Sequence, residues 1–94
     1  MNIKDYLPET EILAQLAEEC AELSQAALKL RRVLDKTNPT PVTELEATAQ
    51  MIEEISDVVC CLSELDELDM SADADIIERK RARWLSRLKQ GAVD

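Results

Sequence analysis

The chain has 94 residues, 46% apolar and 33% charged, with 20 acidic against 11 basic side chains and a formal net charge of −9. That balance argues against non-specific binding to nucleic acid, because phosphate neutralisation needs a surplus of lysine and arginine. The lack of histidine excludes Ser-His-Asp and Cys-His catalysis and histidine-containing zinc sites, and a single glycine excludes the glycine-rich nucleotide loops.

Leu7-Pro8-Glu9 reads as a helix start, with Pro8 near the first turn and the acids Glu9 and Glu11 behind it. Nothing breaks a helix from there to about Asp35. Along it Leu13, Leu16, Cys20, Leu23, Ala27, Leu30 and Leu34 recur at steps of three and four. Thr37-Asn38-Pro39-Thr40-Pro41 reads as a loop, because the residue before each proline is pushed out of the helical region.

Thr43-Glu44-Leu45-Glu46 has the form of a capping box, so a second helix is expected from there to about Leu68. It carries two apolar stripes, Leu45, Thr48, Ile52, Ile55, Val59, Leu62 and Met51, Ile55, Val58, Leu62, Leu65. Asp69-Met70-Ser71 is a weaker break. Ser71 is the expected cap of a third helix, with Asp73 and Asp75 in its positive first turn. That helix is expected to end before Gly91, with Arg87 and Lys89 suited to its negative end.

Strand-like alternation is absent. The expectation is an all-α single domain over residues 1–94, an antiparallel bundle of three helices, two long and one shorter. A helix of about 25 residues is nearly 40 Å long, so the monomer should be flat and elongated. The second helix has more apolar surface than one small partner covers. A homo-oligomer, a dimer or tetramer, is therefore expected, burying the second stripes against each other.

Cys20, Cys60 and Cys61 form no disulfide framework and no CxxC pair. Packing is one reading of them and a soft-metal or redox role another. The opening residues lack the basic-then-apolar pattern of a signal peptide, and no stretch approaches the roughly 18 apolar residues of a membrane span. A cytoplasmic protein with no membrane partner is expected.

Two groups of charges carry chemistry. Glu19 and Glu22 share one side of the first helix beside its apolar stripe, with Glu18 pointing further out. On the second helix Glu54 and Asp57 are one turn apart beside its stripes. Like charges at this spacing repel. If the helices pack antiparallel, Glu19 and Glu22 face Glu54 and Asp57 and make an all-oxygen site for Mg²⁺ or Mn²⁺. The alternative is ordinary exposed glutamates in a glutamate-rich chain. Residues 78–94 are net +4 whereas residues 1–77 are net −13. Within that basic segment Lys80, Arg83 and Arg87 lie along one side, either as a solvated face or as an anion site.

Glu18-Glu19-Cys20-Ala21-Glu22, then Glu54-Ile55-Ser56-Asp57, then the basic stretch Ile77 to Trp84, resemble the all-α nucleoside triphosphate pyrophosphohydrolases, the MazG-like group. Their signature is EExxE on one helix, ExxD on the next and a basic third helix. The order matches from about Leu7 to Leu88, and Ala26-Ala27-Leu28-Lys29 and Val58-Val59 follow the two motifs as in the family.

The resemblance implies Mg²⁺-dependent hydrolysis of a (deoxy)nucleoside triphosphate to monophosphate and pyrophosphate, as housekeeping of the nucleotide pool. It implies Glu19, Glu22, Glu54 and Asp57 as metal ligands, with Glu18 as a further ligand or as a residue that orients water, and so Glu18 and Glu19 as the catalytic carboxylates. It implies Lys80, Arg83 and Arg87 as phosphate ligands and a site assembled at subunit contacts. Many relatives have Lys-x-x-x-Asn in the third helix, and here Trp84 stands where that asparagine would. Trp84 and Tyr6 are the candidate platforms for a base, although a lone tryptophan beside Leu85 and Leu88 also suits a core. Two other functions fit the same residues: a non-catalytic acidic helical interaction module, and a nucleotide or metal sensor without turnover.

Overall fold

A computed structural model describes residues 2–37, 39–65 and 72–93, without the side chains of 92 and 93. Three α-helices account for most of them: α1 (Glu9–Asp35), α2 (Glu44–Glu64) and α3 (Ala74–Val93). A short 3-10 turn, Ile3–Asp5, precedes α1. The Ile3 N–H donates to the Glu64 carboxylate at 3.2 Å, tying the approach to α1 to the end of α2.

The helix boundaries follow local chemistry. Pro8 caps α1 with its carbonyl, which accepts from the Glu11 N–H at 3.0 Å. At the other end Lys36 turns left-handed (φ 58°) and its N–H donates to the Arg32 carbonyl. The Asp35 carboxylate then accepts from the Thr37 N–H and hydroxyl at 3.0 and 2.7 Å. Thr43 caps α2 by accepting the Glu46 N–H, and its hydroxyl donates to the Glu46 carboxylate, both at 3.1 Å.

Three boundaries differ from expectation. α2 stops at Glu64 rather than near Leu68, because Leu65 leaves helical geometry and closes a tighter bond to the Leu62 carbonyl. The cap of α3 is Asp73, whose carboxylate accepts the Ile76 N–H at 3.0 Å. The expected cap, Ser71, lies outside the described residues, as do 66–70. At the far end α3 runs through Gly91 to Val93, since that glycine does not turn to positive φ and so forms no left-handed stop.

α1 and α2 pack antiparallel along their length. The seam on α1 is Ile12, Leu16, Glu19, Leu23, Ala26, Leu30 and Val33. On α2 it is Ala47, Met51, Glu54, Val58, Cys61 and Leu65. The α1 stripe is therefore rotated from the expected one: Leu13, Cys20 and Leu34 face outward. On α2 the two stripes exchange roles. The inner line is the one containing Met51, Val58 and Leu65. The outer line of Leu45, Ile52, Ile55, Val59 and Leu62 is exposed, with Leu45 at 80% and Ile52 at 59%.

α3 does not join the hairpin as a third bundle member. All its described side chains are exposed, and its packing is slight beside that of α1 on α2. The buried apolar set among the described residues is Ile12, Ala26, Ala47 and Leu65. The radius of gyration is 17.3 Å, against about 12 Å for a compact domain of this length. The flat shape, 52 × 38 × 18 Å, agrees with the expectation of an elongated single chain.

Candidate metal centre

Glu19 and Glu54 stand in seam positions that an apolar residue would ordinarily occupy. Ile12, Glu19, Ala26 and Val33 are spaced by sevens on α1, and Ala47, Glu54 and Cys61 by sevens on α2. A seven-residue period keeps such positions on the contact line between two helices. Glu54 is 8% exposed and Glu19 is half-buried. Glu22 and Asp57 stand one turn along each helix at the edge of the same seam.

Antiparallel packing brings the four together. One carboxylate oxygen from each of Glu19, Glu22, Glu54 and Asp57 lies within 4.8 Å of the others. Two glutamines steady the inner pair from one turn before. Gln15 Nε2 donates to Glu19 Oε1 at 2.7 Å, and Gln50 Nε2 donates to Glu54 Oε1 at 2.6 Å. The second oxygens, Glu19 Oε2 and Glu54 Oε2, are buried with no hydrogen-bond partner. The negative charge of Glu19, then that of Glu54, raises the Glu22 carboxyl above its ordinary value.

Buried carboxylate oxygens without donors are costly in an apolar setting. Carboxylates that repel one another across a helix interface cost more. Hard divalent cations that prefer oxygen ligands offset both terms, and an all-carboxylate donor set suits Mg²⁺ or Mn²⁺. The residues present therefore fit such an ion.

Beside the carboxylates runs a groove of about 510 Å³ lined by Glu22, Gln25, Ala26, Lys29, Gln50 and Glu54. Its lining is polar apart from Ala26.

The other candidate residues lie elsewhere. Glu18 is exposed and outside the set of four. Lys80 and Arg83 line a shallow depression on α3 with Ile76 and Arg79, and Arg87 continues that side one turn on. None of the three lines the groove beside the carboxylates. Trp84 is 63% exposed and fills no core within one chain; with Arg81, Leu85 and Leu88 it lines an apolar surface of α3. Tyr6 precedes α1 and is exposed, outside the two helices that carry the four carboxylates. Cys61 is half-buried one turn after Asp57. Burial, helped by Cys60 and by the Glu19 carboxylate, pushes its thiol up, which favours the thiol over the thiolate.

Gln15, Gln50 and Lys29 were not among the expected site residues. The signal for the glutamines is the repeated Gln-x-x-x-Glu, Gln15 to Glu19 and Gln50 to Glu54, which spans one helical turn. Lys29 follows Glu22 by seven residues on the same face. No protein-family model, curated protein or solved structure matches this chain.

Proposed function

We propose that the chain is a Mg²⁺-dependent nucleoside triphosphate pyrophosphohydrolase of the MazG-like kind, with a role in nucleotide-pool housekeeping. The observation that carries the reading is the convergence of Glu19, Glu22, Glu54 and Asp57 with two buried, partnerless oxygens among them. A fold gains nothing from such a cluster unless something positive completes it.

In this reading Glu19, Glu22, Glu54 and Asp57 hold the ion, with Mn²⁺ an acceptable substitute. A divalent cation held there supplies the positive charge that lets an anionic triphosphate approach and makes water more acidic. Gln15 and Gln50 hold one oxygen of Glu19 and one of Glu54. Their opposite oxygens stay free for the ion. Glu18, on the solvent side next to Glu19, orients the water and takes its proton, while Glu19 acts through the ion it holds. Attack of water oxygen on phosphorus breaks the anhydride between the α and β phosphates, leaving monophosphate and pyrophosphate.

Lys80, Arg83 and Arg87 reach phosphate only if α3 docks against a hairpin, its own or a neighbour's. Two exposed apolar lines support an assembly of copies. One is Ile77, Trp84 and Leu88 on α3, and the other is Leu45, Ile52, Ile55, Val59 and Leu62 on α2. Opposite net charges on α3 and the remainder of the chain favour the same contact. A dimer or tetramer is the assembly proposed.

The test is pyrophosphate release from a panel of ribo- and deoxynucleoside triphosphates, with Mg²⁺ and with EDTA. Mg²⁺-dependent release of pyrophosphate and monophosphate is the expected result, and the rank order of substrates names the preferred base. A rise in melting temperature with Mg²⁺ but no release would point to a sensor. Neither response would leave an acidic helical interaction module.

A further inference from the structure

Lys29 is half-buried on α1 and shares the groove with Glu22 and Glu54. It is the sole cation among the described residues lining that groove. No ion pair to Lys29 forms among the described residues, although the chain has an acidic surplus of nine. The covered part of a lysine is ordinarily its apolar stem, so the ammonium, tied by no ion pair among those residues, is available to an anion held in the groove.

The placement says which anion. Lys29 lies two turns beyond Glu22, about 10 Å along the axis. Helical side chains lean towards the N-terminus, so this one leans back along the groove towards the carboxylates. An occupant must therefore offer oxygens to a hard cation at one end and to an ammonium at the other. Glutamine amides of Gln25 and Gln50 flank the path, and Ala26 is the sole apolar lining residue. That lining suits a phosphate chain and offers no platform to a nucleobase.

We infer that Lys29 binds the phosphate oxygens of a polyphosphate held at the carboxylate centre, making the α1–α2 groove a polyphosphate subsite within the hairpin. The inference rests on the metal-site reading above. It assigns this task to a residue of α1, in place of relying on the cations of α3 alone. Charge-assisted hydrogen bonds from lysine to phosphate are among the stronger polar contacts.

The test uses inorganic pyrophosphate, whose binding needs no turnover. Its affinity for the full-length chain is measured by calorimetry with and without Mg²⁺, for wild type, Lys29→Met and Lys29→Arg. Methionine keeps the apolar stem and removes the charge; arginine keeps the charge. Thermal melts of all three check folding.

Wild type is expected to bind pyrophosphate with Mg²⁺ only. Lys29→Met should weaken that binding about ten- to a hundredfold, with Lys29→Arg close to wild type. Affinity for Mg²⁺ alone should be unchanged or higher in Lys29→Met, since a nearby positive charge has gone. Equal pyrophosphate affinity in wild type and Lys29→Met overturns the inference, and if wild type still hydrolyses nucleotides the hydrolase reading stands without it. Lys29-dependent binding without hydrolysis of any nucleotide supports the subsite and removes the hydrolase reading. No pyrophosphate binding by wild type overturns the subsite; absence of nucleotide hydrolysis as well removes both.

Discussion

Gln50 Nε2 donates to Glu54 Oε1 at 2.6 Å across one turn of α2, while Glu54 Oε2 stays buried and unpaired. Gln15 and Glu19 repeat the relationship on α1 at 2.7 Å. In each case one oxygen is held and the other is left over. Groups that orient metal-ligating carboxylates typically affect metal affinity ten- to a hundredfold. Gln50→Leu is therefore expected to weaken Mg²⁺ binding by about tenfold and to cost about 1 kcal/mol of stability through the lost hydrogen bond. Calorimetric Mg²⁺ titration and urea denaturation check the two numbers. An unchanged Mg²⁺ affinity with lowered stability would make Gln50 a packing residue only.

Glu54 is the most buried charged side chain described in the hairpin. Removing its charge takes one repelling partner from the cluster. Glu54→Gln is expected to raise the stability of the metal-free chain by about 1 kcal/mol, to remove the Mg²⁺-induced rise in melting temperature, and to abolish pyrophosphate release. A metal-free Glu54→Gln chain less stable than wild type would mean that the carboxylate is compensated within the fold.

Acid should stabilise the metal-free chain through Glu22. Repulsion from Glu19, then from Glu54, raises the folded-state carboxyl above its ordinary value of 4.5. The folded chain thus holds this proton more tightly than the unfolded chain. Its contribution falls as pH rises from 4.5 through the raised folded value. Asp35 acts the other way: the Thr37 hydroxyl and N–H hold its carboxyl below 3.8, so its contribution is present above 3.8 and lost as pH falls through the lowered value. The windows do not overlap. In EDTA, the Glu22 contribution should raise the melting temperature between pH 7 and about pH 5. Saturating Mg²⁺ should flatten that slope, and Glu22→Gln should flatten it in EDTA. An equal slope in Glu22→Gln would place its origin elsewhere.

Ile52 and Val59 lie on the outward line of α2, both more than half exposed in one chain. Sedimentation of the wild type is expected to give a dimer or tetramer. Ile52→Glu should give a monomer, because a buried unpaired charge at an apolar contact is strongly unfavourable. Trp84 is the chain's single tryptophan, so its fluorescence should shift to the red in that variant if α3 lies in the contact. A monomeric wild type would remove the assembly.

The helical class, both limits of α1 and the start of α2 could be read in the amino-acid order, because caps and breaks act within a few residues. Thr43 with Glu46, Pro8 and the Pro39/Pro41 loop are examples. The four converging carboxylates were legible for the same reason: residues three apart on a helix share a side, and two helices joined by a short loop pack antiparallel. The inward line of α1 is not legible in the sequence, because Leu13 and Leu34 suit a helical period as well as Ile12 and Val33 do, and only contact with α2 decides which line turns inward. That contact made Glu19 and Glu54 seam residues and exposed Leu45 and Ile52. It also joined Lys29 and Gln50, which are 21 positions apart, along one groove. Sequence periodicity specifies lines on a helix, whereas burial belongs to the pair of helices that meet.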